Sequence, residues 1–334
     1  MSNHLLDVLT REGVLISVSI RLWRAQKKLN AEDIGLDSDD VNKRLISLGH
    51  KKLLPREAMA KLALVESRAH ALVESNTFPF LNGLGHFLPN KRLAEVTGKL
   101  EEIQEQFHSL TAEFLRQYRP MREQALKEWR ETARRLAVDP ARLVATIEDA
   151  FPDPDAIRRY FSFDIHLFEI KVPERLGTSL VSLADQQNII DARAKAASEA
   201  SEKINTGVNA FVADCVSTLR HETATLCEEM LASMKTGKTG VHQKTLNRLL
   251  NFMDHFKQLN FAGDTELNRM LDDFRSQFLG TNAEQYRDNN SEQLRLQKGI
   301  KSLADTARTM AAQDAKEIVR QFGQMGVRKF NLAA

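Results

Sequence analysis

The sequence predicts a mainly α-helical protein: an elongated helical bundle or a set of coiled-coil hairpins, with a small two-stranded β element. Glycine and proline are scarce, at 15 and 8 of 334 residues, so few positions can break a helix. Apolar residues recur at steps of three and four over long stretches, which is the spacing of one helix face. Only two stretches alternate with the period of a β-strand, and an all-β fold is therefore excluded.

The two predicted strands lie near residues 14–23 and 161–172. An apolar side chain stands at every second position from Val14 to Leu22 and from Phe161 to Leu167, as on the buried face of a strand. An isolated strand would leave its backbone donors and acceptors unsatisfied. We therefore expect the two strands to pair with each other or with the edge of a partner.

Helices are expected between the two strands. Residues 31–54 carry short helical signals, and Pro55 is placed to begin a helix that continues to Ser75. Residues 76–89 contain two glycines and two prolines among many apolar residues. This composition predicts a loop that packs down onto the protein, since a solvated loop would not need so many apolar side chains.

A long helix is predicted next from a seam of apolar residues between Leu93 and Phe114, which has coiled-coil spacing. Pro120 predicts a kink, after which the helical period resumes. Asp139 and Pro140 then predict the start of a further short helix.

The second half of the chain has the most regular pattern, which predicts one helix from Pro173 to about Met234. A helix of about 60 residues is roughly 90 Å long. The last of the helices that follow is expected to pack antiparallel on this long one. Three such amphipathic helices are predicted, over residues 241–259, 265–279 and 291–322.

These patterns divide the chain into a mixed N-terminal region, residues 1–172, and a long-helix coiled-coil region, residues 173–334. The sequence shows neither a signal peptide nor about 18 consecutive apolar residues, so a cytoplasmic protein is expected. Cys215 and Cys227 stand about 18 Å apart along the long helix, which is too far for a disulfide. They are predicted to be free thiols.

A short motif at residues 232–239 matches the relaxed pattern of a nucleotide-binding phosphate loop. Its candidate nucleotide-binding residues are Gly237, Lys238 and Thr239. A phosphate loop follows a buried strand, whereas the residues before this motif have helical spacing. We therefore interpret the motif as the end of a helix with Gly237 as its cap. Neither metal-ligand spacing nor an activated nucleophile is recognised, so no metal site, no cofactor and no enzymatic activity are predicted.

The charge balance argues against a polyanionic partner. Lysine and arginine number 47 against 45 for aspartate and glutamate, so the chain as a whole has little net field. The basic residues between Arg116 and Arg135 alternate with glutamates that can pair with them along a solvated helix face. Neither nucleic acid nor a membrane is therefore favoured as a partner.

Several short motifs occur together in the first third of the chain. They are VSIRLW at 18–23, KKL at 27–29, EDIGL at 32–36, SLG at 47–49, KKL at 51–53, the glycine-containing segment 80–89, EFL at 113–115, Tyr118 and Trp129. In this order and spacing they resemble a bacterial and phage family known as domain of unknown function 3150, over about residues 10–135. The resemblance implies a companion of MoxR-type AAA ATPases and von Willebrand A-type proteins on phages and mobile genetic elements. It supplies no catalytic residues.

From the resemblance and the long heptad helix we expect a non-enzymatic adaptor or substrate-presenting subunit of a MoxR-type AAA ATPase system. The residues predicted to bind the partner are Trp23, Phe80, Gly83, Gly85, His86 and Phe87. The alternative for the aromatic residues among them is that they are core side chains.

Two other functions stay open: a membrane-active helical defence effector and a nucleic-acid-handling accessory protein. A homo-oligomer also stays open, because the helical seams can be filled within the chain or by a second copy.

Overall fold

Helices make up most of the chain in the computed structural model, which describes residues 3–34, 47–80, 85–136, 139–169, 186–236, 241–287, 289–313, 315 and 317–322. The helices are α1 (Asn3–Glu12), α2 (Arg56–Glu74), α3 (Asn90–Leu136), α4 (Pro140–Ala150), α5 (Gln186–Thr236), α6 (Gln243–Leu259), α7 (Thr265–Phe278), α8 (Ala283–Arg287) and α9 (Asn290–Ala312). The strands are β1 (Gly13–Arg21), β2 (Gln26–Lys28), β3 (His50–Lys52), β4 (Phe78–Phe80), β5 (Gly85–Pro89) and β6 (Ser162–Phe168). Short 3-10 helices cover Ala31–Ile34 and Ile157–Tyr160. The predicted mainly α class is confirmed.

The helices predicted from apolar periodicity are present among the described residues. α3 continues through Pro120 as one helix. The predicted start of the long helix at Pro173 lies outside the described residues, which resume at α5. α9 ends at Ala312, because the extended backbone of Gln313 interrupts the predicted helix, and residues 317–322 are helical again.

The β structure is larger than the predicted two-stranded element. One sheet has the strand order β4-β5-β1-β6, and β2 and β3 form a separate two-stranded ribbon. β1 and β6 are the two strands predicted from the sequence, and their expected pairing is confirmed. The correction comes from the predicted loop at residues 76–89, within which residues 78–80 and 85–89 form the antiparallel pair β4 and β5. A second correction concerns residues 50–52, which are strand β3 and not part of a helical segment.

Gly13 lets β1 and β5 approach each other closely. β1 pairs antiparallel with β5, with Gly13 opposite Pro89 and Ile16 opposite His86. A Cβ atom on Gly13 would lie 2.5 Å from both the Phe87 ring and the Leu88 carbonyl oxygen. Only glycine fits this position, since any side chain would push the two strands apart.

The chain forms two compact units that combine segments distant in sequence. The first unit comprises Met1–Ile16, Asn76–Ala94 and Leu167–Ala334, and the second comprises Ser17–Ser75 and Glu95–His166. The boundary predicted at residues 172 and 173 lies outside the described residues and stays a prediction.

In the first unit, α5 packs against α1, α6 and α9. Ser217 of α5 donates to the carbonyl oxygen of Ala311, whereas Glu228, further along α5, pairs with Arg308, which comes earlier in α9. α9 therefore runs antiparallel to α5, as predicted. Aromatic rings extend this core, with Phe211 of α5 lying 4.8 Å from Phe80 between ring centroids.

A buried ion pair joins three helices of the first unit. Arg220 Nε of α5 lies 2.6 Å from Asp264 Oδ2, and the two side chains are only 6% and 3% exposed. Arg220 Nη1 also donates to the Met310 carbonyl oxygen of α9 at 2.8 Å. The other carboxylate oxygen of Asp264 accepts from the Leu267 backbone and caps α7. Each charged group thus has partners that offset its loss of water.

The core of the second unit is aromatic around Trp23. The ring centroid of Trp23 lies 5.6 Å from that of Tyr118, 6.2 Å from that of Phe114 and 6.3 Å from that of Phe151. The Tyr118 hydroxyl donates to the Pro152 carbonyl oxygen at 2.8 Å, so its polar end is satisfied inside the core. These contacts hold α3, α4 and the end of β1 in one unit.

Candidate partner-binding groove

The three aromatic residues predicted to bind a partner are core side chains. Trp23 is 8% exposed, Phe80 2% and Phe87 0%. Large apolar side chains gain most from burial, and each of these has aromatic neighbours within its own unit. The alternative interpretation as core residues accounts for them, and these side chains offer little exposed surface to a partner.

Gly85 and His86, the two other predicted site residues in the described ranges, do not form an exposed cluster either. Gly85 is buried in β5 opposite Phe80, and His86 is partly buried with Nδ1 at 3.1 Å from Thr77 Oγ1. Gly83 lies outside the described residues. The same holds for the candidate nucleotide-binding residues Gly237, Lys238 and Thr239.

An open groove in the second unit was not predicted. It lies between α2 and α3 and has a volume of about 540 Å³. Its lining residues are Arg68, Ala71 and Leu72 of α2, Ser75 at the C-cap of α2, and Lys99, Glu102, Ile103 and Gln106 of α3. Met59, Leu62 and Val65 lie on the buried face of α2. The groove residues of α2 therefore lie on another side of the helix.

The size and charge of the side chains shape the groove. Ala71 and Ser75 are short, so they leave space between the longer groups on either side. Arg68 Nη1 of α2 donates to Gln106 Oε1 of α3 at 2.8 Å and joins the two helices. Lys99 pairs with Glu95 of the same helix at 2.6 Å. The result is an apolar floor at Ile103 with cationic and polar walls.

This arrangement is suited to holding a chain segment. The polar groups of the groove are spread over two turns of each helix and do not converge on one reacting atom. Its volume lies within the range of about 300–1,000 Å³ that binding clefts usually have. We therefore treat the groove as a binding surface.

A smaller pocket of about 210 Å³ lies in the same unit between β3 and α3. Trp129 forms part of its wall, and the indole Nε1 donates to the Lys52 carbonyl oxygen at 3.0 Å. Lys52 and Glu128 bring one charge of each sign to the rim. The pocket thus connects the C-terminal half of α3 with the β2–β3 ribbon.

Both cysteines are free and buried in α5. Burial raises the pKa of the Cys215 thiol well above its usual value and that of Cys227 to about 12. Thiols of this kind are poor nucleophiles, because the reactive thiolate is scarce near neutral pH.

Two further kinds of site were sought in the described ranges. Histidine, cysteine, aspartate and glutamate form no group of three there that could hold a metal ion. None of the helices in those ranges combines the length and the apolar character needed to cross a bilayer.

Comparison with known families identifies the chain. A family model described as a protein of unknown function, DUF3150, matches residues 10–202, which is more than half of the chain. The chain belongs to the DUF3150 family. This confirms the resemblance seen in the short motifs of the first third. No curated protein and no solved structure matches this DUF3150 chain.

Part of the DUF3150 match falls on surfaces that the sequence did not predict. The match includes α2, α3 and the β2–β3 ribbon, and therefore both the groove and the pocket beside Trp129. The two KKL motifs were visible in the sequence, but their pairing as one ribbon was not. Strands of three residues are too short to give a periodic signal.

Proposed function

We propose that this member of the DUF3150 family is a non-enzymatic adaptor or substrate-presenting subunit of a MoxR-type AAA ATPase system of a phage or mobile element. The observation that carries the proposal is the open α2–α3 groove, which has an apolar floor and cationic walls. A von Willebrand A-type protein is a second partner in this proposal. The setting is the cytoplasm, where such an ATPase has access to ATP.

The chemistry of the groove defines the segment that it would hold. Ile103 and Leu72 offer apolar contact along the floor, while Arg68 and Lys99 place two cations beside it, the second of which is paired with Glu95. One carboxylate, Glu102, lies in the same lining. An amphipathic segment with an apolar stripe and an acidic flank fits this pattern. We assign that segment to the ATPase.

An elongated shape with coiled-coil hairpins belongs to the same proposal. α3 and α5 have 47 and 51 residues, which corresponds to about 70 Å and 76 Å of helix. Helices of this length support an extended protein that reaches between partners. Small-angle X-ray scattering of the purified chain tests this shape, and a scattering profile typical of a sphere would contradict it.

The groove is tested by filling it. Ala71→Trp places a large side chain among the lining residues, whereas Ala60→Trp makes the same change at an exposed alanine of α2 outside the groove. We expect purified MoxR-type ATPase, with a non-hydrolysable ATP analogue, to bind the wild type and Ala60→Trp but to bind Ala71→Trp at least about tenfold more weakly. Calorimetric titration measures the affinities.

Two outcomes would contradict the proposal at different points. Equal affinity of both variants would remove the groove as the docking surface. Failure of the wild type to bind any MoxR-type ATPase from its own genetic neighbourhood would remove the adaptor function itself. Circular dichroism of both variants checks that each retains its helices.

A further inference from the structure

The β2–β3 ribbon of the second unit presents one strongly basic face. The strands pair antiparallel with Gln26 opposite Lys52, Lys27 opposite Lys51 and Lys28 opposite His50. Residues directly opposite each other share a face, and alternate residues share it along each strand. Gln26, Lys28, His50 and Lys52 therefore lie on one face, and all four are exposed.

The opposite face of the ribbon fixes its orientation. Lys51 is buried there, with Nζ at 2.7 Å from Asp33 Oδ2. The same carboxylate oxygen accepts from the Asn30 backbone at 2.8 Å. A further backbone hydrogen bond joins Leu53 to Ala25 at 2.8 Å. The exposed cations are therefore carried on a rigid support.

The exposed lysines of the ribbon are not neutralised within the described chain. Lys27, Lys28 and Lys52 form no ion pair with another described residue. The near-zero net charge of the whole chain does not reveal this local excess of lysine. The excess arises because the pairing of two short strands brings two separate sequence motifs together. Exposed lysines held this close favour the phosphates of a polyanion.

The pocket beside Trp129 adds a second kind of contact. Lys52 belongs both to the basic face and to the wall of the pocket, so the two features are continuous. Pro55, Ala125 and the partly exposed Trp129 make the pocket largely apolar. Its 210 Å³ can take one planar ring system, and the Glu128 carboxylate can accept a hydrogen bond from an N–H group of that base.

We propose that the outer face of the β2–β3 ribbon and the pocket beside Trp129 bind single-stranded nucleic acid. Phosphates lie against Lys28 and Lys52, and one base enters the pocket next to Trp129. Single strands are favoured over duplex, because only unpaired bases expose the ring faces and edges that such a pocket contacts. The site is separate from the α2–α3 groove and does not depend on an ATPase partner.

The phosphate contacts are tested with the full chain and a labelled oligothymidylate of about 20 nucleotides in filter binding. Lys28→Gln with Lys52→Gln removes two exposed charges, and Lys244→Gln with Lys301→Gln removes two exposed charges of the first unit as a matched control. We expect the first double variant to bind at least about tenfold more weakly at low salt. Its plot of log affinity against log salt should also be shallower by about 1.4, which is about 0.7 for each phosphate that the variant no longer neutralises.

The base contact is tested at Trp129. Both Trp129→Leu and Trp129→Phe lose the indole hydrogen bond to Lys52, but only the phenylalanine keeps an aromatic face. We expect Trp129→Leu to weaken binding about tenfold with an unchanged salt slope, and Trp129→Phe to restore most of the affinity.

Three results would overturn the proposal. The first is that the wild type does not bind the oligonucleotide at about 50 mM salt. The second is that both lysine double variants bind alike. The third is that polyglutamate competes as well as the oligonucleotide while the two Trp129 variants behave alike, which would indicate a general cationic surface.

Discussion

The burial of the Arg220–Asp264 ion pair makes a single substitution costly. Arg220→Met fills a similar volume but leaves the Asp264 carboxylate buried without its cation. We expect the free energy of unfolding to fall by about 3–5 kcal/mol, because an uncompensated buried charge is strongly unfavourable. Urea unfolding followed by circular dichroism measures it.

The first unit also offers a matched control for this variant. Arg275 lies 2.6 Å from Asp254, but the two side chains are 42% and 55% exposed. Arg275→Met should cost no more than about 1 kcal/mol, since solvent screens exposed pairs. Equal losses in the two variants would contradict the role assigned to burial.

The raised pKa values of the thiols predict a pH dependence of stability. Cys227 keeps its proton up to about pH 12 in the folded chain, whereas a thiol in the unfolded chain releases it near its usual value of 9.0. Above that value the unfolded state binds fewer protons than the folded state, so the free energy of unfolding falls as pH rises towards 12. Urea unfolding at pH 8 and at about pH 10.5 measures the decline, which should be smaller in Cys227→Ala. A decline of the same size in this variant would assign the alkaline loss to other groups.

Only part of the residue-scale description was predictable. The free cysteines followed from their spacing along one helix, and both are free thiols in α5. The aromatic residues Trp23, Phe80 and Phe87 were predicted to bind a partner, with the core as the alternative, and they are buried. The alternative stayed open because a sequence does not show whether an apolar side chain faces the core or a partner.

Two glycines in helices have opposite surroundings and predict opposite effects. A Cβ atom on Gly299 of α9 would lie 2.8 Å from the Phe278 ring, whereas one on Gly98 of α3 would meet nothing within 4 Å. Gly299→Ala should therefore lower the free energy of unfolding by about 1–3 kcal/mol through overpacking. Gly98→Ala should raise it by about 0.5–1 kcal/mol, because alanine has the higher helix propensity. Thermal unfolding of the two variants decides the signs, and stabilisation of Gly299→Ala would contradict the close contact with α7.

At the scale of elements, the length of a periodic pattern determined what could be predicted. α2, α6 and α7 each extend over several turns, and the sequence placed them within two residues of their observed ends. β2, β3 and β4 have three residues each, and their place in a sheet depends on a partner strand. The α2–α3 groove was not predictable either, because it results from the spacing of two helices that the sequence defines only one at a time.

The division of the whole molecule depends on contacts between distant segments. Residues 76–94 belong to the same unit as α5 to α9, although residues 95–185 separate the two segments in sequence. A periodic pattern shows which residues share one face of a helix or strand, but it does not show contacts between distant segments. The sequence therefore supported only a division of the chain into two consecutive regions. The family match ends at residue 202, inside α5, and Phe211 lies beyond it. Since Phe80 and Phe87 pack on Phe211, the matched range does not contain a complete core for the first unit.

The placement of Trp23 and Trp129 has a consequence for spectroscopy. The chain has two tryptophans, and both belong to the second unit. Intrinsic tryptophan emission therefore reports the second unit alone, with a blue-shifted contribution from the buried indole of Trp23 and a redder one from the more exposed Trp129. Far-ultraviolet ellipticity sums the helices of both units. During denaturation, a change in ellipticity that does not coincide with the change in tryptophan emission therefore reports the unfolding of the first unit. No added label is needed.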